Sequence, residues 1–182
     1  MPGLLSTLHR LDDTLLRQLN VAPDSVWIPF FRLVSDTTSP IAYGIPLLLL
    51  LIGLVRRSRS LIFKSLLLLL QVLATDYTAL LLKLWIRRAR PYDVLDFVVA
   101  HSDGGNPSFP SGHSAQAFGM AIGVALLFRK KSGALPALAW ASLVGLSRIC
   151  LGVHYPSDVI GAMVEATLIG CLLILPFRSR WK

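Results

Sequence analysis

Apolar residues fall along this chain in long blocks separated by short basic stretches. Thr37 to Val55 is the first block able to cross a bilayer, since roughly twenty residues at about 1.5 Å each cover about 30 Å of hydrocarbon. Further blocks run from about Leu61 to Ile86, from Pro110 to Phe128, from Ala134 to Leu151 and from Val159 to Phe177. The pattern predicts about five transmembrane helices. Ahead of them, Leu4, Leu8, Leu11, Leu15 and Leu19 recur at helical spacing, with Leu5 and Leu16 beside them and Arg10, Asp12, Asp13 and Arg17 opposite. This is an amphipathic helix too charged to span, lying at the membrane interface or packed on another helix of the same chain. Val26 to Val34 is apolar but short, and Pro29 and Arg32 interrupt it, so it reads as an interfacial or re-entrant piece. The expected fold is all-α, a polytopic membrane helix bundle forming one domain over 1–182. Residues 1–36 are its interfacial segment and 37–177 its transmembrane bundle.

Composition supports this reading. Hydrophobic residues make up 54% of the 182 positions, too many for an ordinary soluble domain. Cys150 and Cys171 both sit in apolar runs, which points to packing and away from a disulfide framework or a metal site. The net charge of +8 could suggest nucleic acid, but the basic residues gather at the ends of apolar blocks and not along a soluble face. Clusters at 56–64, 129–131 and 178–182 fall on one side of a five-span topology, with no Asp or Glu among them. Positive charge in short loops marks that side as cytoplasmic. The loop from Arg87 to Pro110 and the stretch from Arg148 to Asp158 then share the outer face.

Those two outer regions carry the ionisable residues that membrane burial makes functional candidates. In Ser147–Asp158, Pro156 is suited to be the first residue of a helix, with Tyr155 as its cap, His154 just before it and Asp158 in its first turn. A carboxylate four residues after a histidine can hold one ring nitrogen and leave the other free to attack. Arg148 offers a planar fork of donors for a phosphate or carboxylate. Upstream, Lys83 and Arg90 are seven residues apart, which on one helix turns them the same way before Pro91 stops it. Arg87 lies within reach of that direction, and Arg87 and Arg88 also fit a snorkelling basic rim. Pro110-Ser111-Gly112-His113 opens a helix whose first N–H groups would cradle an anion, with His113 projecting from the first turn as a candidate general acid. The stretch Asp103–Pro107 is turn chemistry, read as a surface connection. Asp76 and Glu165 each share a helix face with a site residue about 10 Å deeper. They are either partners of the cations or hydrogen-bonded acids between helices.

Lys83 with six residues before Arg90-Pro91, Pro110-Ser111-Gly112-His113, and Ser147-Arg148 with five residues before His154 and three more before Asp158 form three ordered blocks. Together they resemble the signature of the type-2 phosphatidic acid phosphatase superfamily, and none of the three departs from it. The resemblance implies that His154 attacks phosphorus to give a phosphohistidine, that Asp158 orients it, and that His113 protonates the leaving group. It implies that Lys83, Arg90, Arg148, Ser111 and the Gly112 amide hold the phosphoryl oxygens, with no metal and no cofactor. The expected function is that of an integral membrane lipid phosphatase, with undecaprenyl diphosphate as the leading substrate. Phosphatidylglycerophosphate, phosphatidic acid and lipid A are the alternatives. The expected partners are the phosphorylated lipid and the bilayer, and the expected location is a bacterial inner membrane with the site on the periplasmic side. Vanadate-dependent haloperoxidases share the constellation but are soluble, which the spans argue against. A lipid-binding or transport protein with a vestigial site would have lost a catalytic position, and none is lost here.

Overall fold

The structure is a computed structural model that describes residues 2–105 and 107–177, apart from the side chains of Pro2, Leu4 and Leu5. Arg178, Arg180 and Lys182 of the last basic cluster lie outside the described residues. All regular structure among the described residues is helical: α1 (Pro2–Leu19), α2 (Ile28–Asp36), α3 (Thr38–Val55), α4 (Arg59–Ile86), α5 (Pro91–Val94), α6 (Gly112–Phe128), α7 (Lys131–Cys150) and α8 (Pro156–Ile174). Among the described residues, four stretches are long and apolar enough to cross a membrane: Ile28–Val55, Arg59–Val94, Lys131–Cys150 and Pro156–Phe177. Helix α6 is a shorter apolar helix.

Helix α6 is the axis of the bundle and packs against α3, α4, α7 and α8. Its sequence allows this because Ala115, Ala117, Gly119, Ala121 and Gly123 keep it narrow, so neighbouring backbones approach closely. The hydroxyl of Thr75 lies against Gly119, and Leu68 and Gln71 lie against Gly123. Outward positions such as Leu47, Leu51, Leu54, Leu66, Leu168 and Leu172 are exposed, as a surface solvated by lipid tails requires. Connectivity places the turns carrying Arg56, Arg57 and Arg59 and carrying Arg129, Lys130 and Lys131 at one end. The C-termini of α4 and α7 and the N-termini of α6 and α8 meet at the other.

Two expectations change. Val26–Val34 is not a separate interfacial or re-entrant piece, because α2 runs almost unbroken into α3 through a helical Thr37. Pro29 sits in the first turn of α2, where its missing N–H costs nothing, and Arg32 Nε donates to the His101 carbonyl at 2.6 Å. The first candidate span, by length and composition, is therefore the combined stretch Ile28–Val55. Second, α4 ends at Ile86 with Arg87 in the left-handed cap, and Pro91 starts the short helix α5 and is not the residue that stops α4. The N-terminal helix takes one of its two expected places, packed on the same chain: α1 docks on the bundle along an edge centred on Asp12 and Leu16, while Leu8, Leu11 and Leu15 stay exposed. Leu16 packs with Val98, Ile149 and Tyr155.

Between α7 and α8 the chain turns at Gly152, whose φ of +73° lies in the left-handed region. A side chain there would run into the Val99 carbonyl and the Asn20 amide, both in contact with the backbone. Gly152→Ala should therefore lower stability by roughly 1–3 kcal/mol, read as a fall of several degrees in the thermal unfolding midpoint in detergent.

Candidate active site

Asp158, in the first turn of α8, is fully buried. Its Oδ2 accepts from the Tyr155 backbone N–H at 2.9 Å, which closes the N-terminus of α8, and from Ser108 Oγ at 2.5 Å. The same oxygen lies 3.3 Å from His154 Nδ1. Its Oδ1 accepts from Arg88 Nη1 at 2.6 Å. A buried carboxylate surrounded by donors stays ionised, and an ionised Asp158 holds the proton of His154 on Nδ1. The lone pair of His154 Nε2 then points away from Asp158, towards Arg90 Nη1 at 3.2 Å.

Three cations come to this point from separate segments. Lys83, near the end of α4, donates to the Pro107 carbonyl at 2.9 Å and the Ser108 carbonyl at 3.3 Å. Arg90 donates to the Val153 carbonyl at 2.6 Å and the Pro107 carbonyl at 3.2 Å. Arg148, in the last turn of α7, donates to Ser35 Oγ at 2.5 Å, to Ser102 Oγ at 3.4 Å and to the Asp103 carbonyl at 3.3 Å. These partners are all neutral, so the hydrogen bonds position the cations without cancelling their charge. Arg90 Nε and Arg148 Nε are buried and have no hydrogen-bond partner among the described residues. The three cations also lie close enough to His113 to act on it electrostatically.

The structure brings Lys83 and Arg90 together, but not by a shared helix face. The helix between them has ended, and the Pro107 carbonyl gathers both. Ser111 is the buried N-cap of α6, its Oγ accepting from the Ser114 N–H at 3.4 Å, with Gly112 as the first helical residue. Lys83 Cε lies 3.9 Å from where a Cβ on Gly112 would be, so Lys83 stands beside the start of α6. Arg87 is exposed and turned back on the Leu84 carbonyl, outside the cluster.

Sequence reasoning misplaced or missed several groups. Arg88 is no simple snorkelling rim, because it bridges Asp158 and Asp12 and stacks 3.8 Å above the Tyr155 ring. The segment Asp103–Pro107 is no simple surface connection, because its carbonyls hold all three cations and Gly104 lies against the Arg90 guanidinium. Ser108, Ser35 and Asp12 carried no signal, since nothing local marks a serine or aspartate that meets a partner dozens of residues away. Asp76 accepts from Tyr43 and Gln116, and Glu165 from Thr78, which is the arrangement of acids hydrogen-bonded between helices. A roomier, largely apolar cleft, lined by Ile45, Met120, Val124, Phe128 and Trp140 together with Lys130, contains none of these groups.

Burial pushes the His154 imidazole down to about 3, with Asp158 opposing and Arg90 and Arg148 reinforcing the shift. The imidazole is thus neutral at neutral pH. An unfolded histidine takes up a proton near pH 6.5 while the folded one refuses it until about pH 3. Folding stability contributed by this group is therefore present above pH 6.5 and is lost as pH falls through that window. His154→Gln should flatten the decline of the unfolding midpoint between pH 6.5 and 4 relative to wild type, measured in detergent.

The model of the PAP2 superfamily matches residues 64–182, well over half of the chain. The chain is 46% identical over 65 residues to the undecaprenyl-diphosphatase BcrC of Bacillus subtilis, covering 36% of this chain and 33% of that one. It is 34% identical over 111 residues to a lipid A 1-phosphatase of Rhizobium johnstonii, covering 58% and 45%. The matched region spans between a third and a half of the length of these curated relatives. Among solved structures, Aquifex aeolicus LpxE superposes with a TM-score of 0.74 at 26% identity, over 91% of this chain and 95% of that one. The PAP2-type phosphatidylglycerolphosphate phosphatase of Bacillus subtilis does so with 0.71 at 26% identity, over 97% and 88%. The matched region contains Lys83, Arg90, His113, Arg148, His154 and Asp158, and the superposition extends over nearly the whole fold; the chain belongs to the PAP2, or type-2 phosphatidic acid phosphatase, superfamily.

Proposed function

We propose that this protein is a membrane lipid phosphatase that works through a phosphohistidine. The observation that carries the reading is the contrast between cations. Lys83, Arg90 and Arg148 are held by carbonyls and hydroxyls and keep their full charge beside His154, whereas Arg88 is neutralised by two carboxylates. Uncancelled cations around a neutral, oriented imidazole suit a phosphoryl group whose charge grows during transfer.

In this reading His154 Nε2 attacks phosphorus and the bond to the leaving oxygen breaks, with its electron pair going to that oxygen and a proton arriving from His113. Arg90 gives up its contact with Nε2 and turns to a phosphoryl oxygen. Its Nε and that of Arg148 supply donors with no partner among the described residues. Ser111 and the Gly112 amide complete the cradle at the start of α6. Water, deprotonated by His113, then attacks the phosphohistidine, releasing phosphate and restoring His154. Asp158 stabilises the imidazolium character of each transition state. No step calls for a metal ion or cofactor.

A groove of about 410 Å³ supports a lipid as the substrate. It is lined by Lys83 and Gly112 together with Leu73, Asp76, Tyr77, Ala79 and Leu80 of α4. A mostly apolar groove that includes a site cation suits a charged head carrying an apolar tail. Undecaprenyl diphosphate is the substrate we favour, on the strength of the 46% identical segment shared with BcrC. Lipid A is the second reading, favoured by the longer match to the Rhizobium johnstonii lipid A 1-phosphatase. The basic turns at the opposite end support a site on the periplasmic side of a bacterial inner membrane, by the positive-inside rule.

Purified protein in detergent should release phosphate from one of undecaprenyl diphosphate, lipid A, phosphatidylglycerophosphate or phosphatidic acid, and EDTA should leave the rate unchanged. His154→Ala should lower turnover by roughly 10³-fold or more and abolish the acid-labile phosphoenzyme trapped from radiolabelled substrate. Equal release by wild type and His154→Ala would overturn the mechanism. Arg148→Lys should lower kcat/KM by about tenfold or more, because an ammonium cannot reproduce the planar fork.

A further inference from the structure

Asp12 is one of two adjacent acids on the amphipathic helix α1, and it is buried, with a side-chain exposure of 4%. A slight rotation of α1 would return it to water, so its burial needs a reason. Its Oδ2 accepts from Arg88 Nη2 at 2.7 Å and from Ser157 Oγ at 2.5 Å, and its Oδ1 accepts from the Ser157 backbone N–H at 2.9 Å. Arg88 in turn reaches Ser157 Oγ and Asp158 Oδ1 through Nη1, at 2.7 and 2.6 Å. One guanidinium thus lies between two carboxylates, with its face on the Tyr155 ring.

This chain of contacts ends on the oxygen of Asp158 that His154 does not use. Oδ2 is taken by Ser108, Tyr155 N–H and His154, while Arg88 holds Oδ1. The plane of the carboxylate is therefore set by Arg88, and the position of Arg88 by Asp12. Sharing the guanidinium with a second carboxylate also keeps Arg88 from drawing off the negative charge with which Asp158 stabilises an imidazolium.

We propose that Asp12 is a positioning residue for the reaction: through Arg88 it holds the Asp158 carboxylate in the orientation that fixes His154, so that helix α1 is a working part of the active site. The inference rests on His154 being the nucleophile. Leu16 against Val98, Ile149 and Tyr155 gives α1 an apolar contact that Asp12→Asn, a substitution of nearly the same shape, does not remove.

Two readouts on the full-length protein in detergent test this. The first is the low-field Nδ1–H resonance of His154 in protein labelled with 15N-histidine, identified by its absence in His154→Ala. It should move or broaden in Asp12→Asn. The second is turnover on the best substrate of the panel above. In Asp12→Asn, kcat should fall by roughly tenfold, the scale on which outer partners of an oriented imidazole act, with KM within about twofold. In an Arg88→Gln background the same substitution should add almost nothing, since residues acting along one route are not additive. An unmoved resonance, an unchanged kcat or full additivity would each overturn the proposal. If Asp12→Asn does not fold, Ser157→Ala carries the test, because it removes one donor to Asp12 and should shift the same resonance, whereas a folded variant with the wild-type signal sinks the idea. A shifted resonance in a protein that releases no phosphate would overturn the phosphatase reading and leave the coupling of Asp12 to His154 standing.

Discussion

Asp158 carries a full negative charge with no exposed side-chain surface, and the site is built from what keeps that charge satisfied. Stranding such a charge would cost several kcal/mol. Four donors prevent it: Ser108 from the loop before α6, the Tyr155 N–H from the start of α8, His154 from the turn before it and Arg88 from beyond α4. Ser108 and Arg88 thereby fasten two distant segments to the first turn of α8. The ion that orients the imidazole is thus also a point at which these ends of the helices are joined.

Charge is handled differently a short distance away. Lys83, Arg90 and Arg148 repel one another, and an isolated cluster of this kind would be expensive in an apolar setting. Backbone carbonyls at Asp103, Pro107, Ser108 and Val153 hold them in place, and these carry dipoles but no net charge. Carboxylates in the same positions would have fixed the side chains equally well and extinguished their attraction for an anion. Asp158 and Asp12 are directed to Arg88 instead, which separates a neutralised cation that supports the framework from three cations that remain available.

The membrane part of the bundle makes this arrangement affordable by placing every polar group of the site at one end. Small residues on α6 let four helices gather round it, and their lipid-facing leucines need no partner. At mid-depth the remaining acids are taken up in pairs across helices, Asp76 by Tyr43 and Gln116, and Glu165 by Thr78.

By itself, the sequence determined the number and order of the apolar helices, the gathering of basic residues in the turns between them, and the residues of the three signature blocks. These are local properties: a run of apolar residues, a proline at the start of a helix, a histidine four residues from an aspartate. It also contained the start of α8 at Pro156 with its Tyr155 cap, because capping depends on near neighbours. Tertiary structure alone decided the rest. Arg87 and Arg88 are adjacent and chemically alike, yet one turns back on its own helix and the other bridges two carboxylates. Asp12 and Asp13 are equivalent on the pattern of α1, but docking buries only Asp12. The run Asp103–Pro107 has the composition of a surface turn, and its role comes from where its carbonyls point. A partner 76 residues away in sequence, as Asp12 is for Arg88, leaves no periodic trace, so only the folded chain could reveal it.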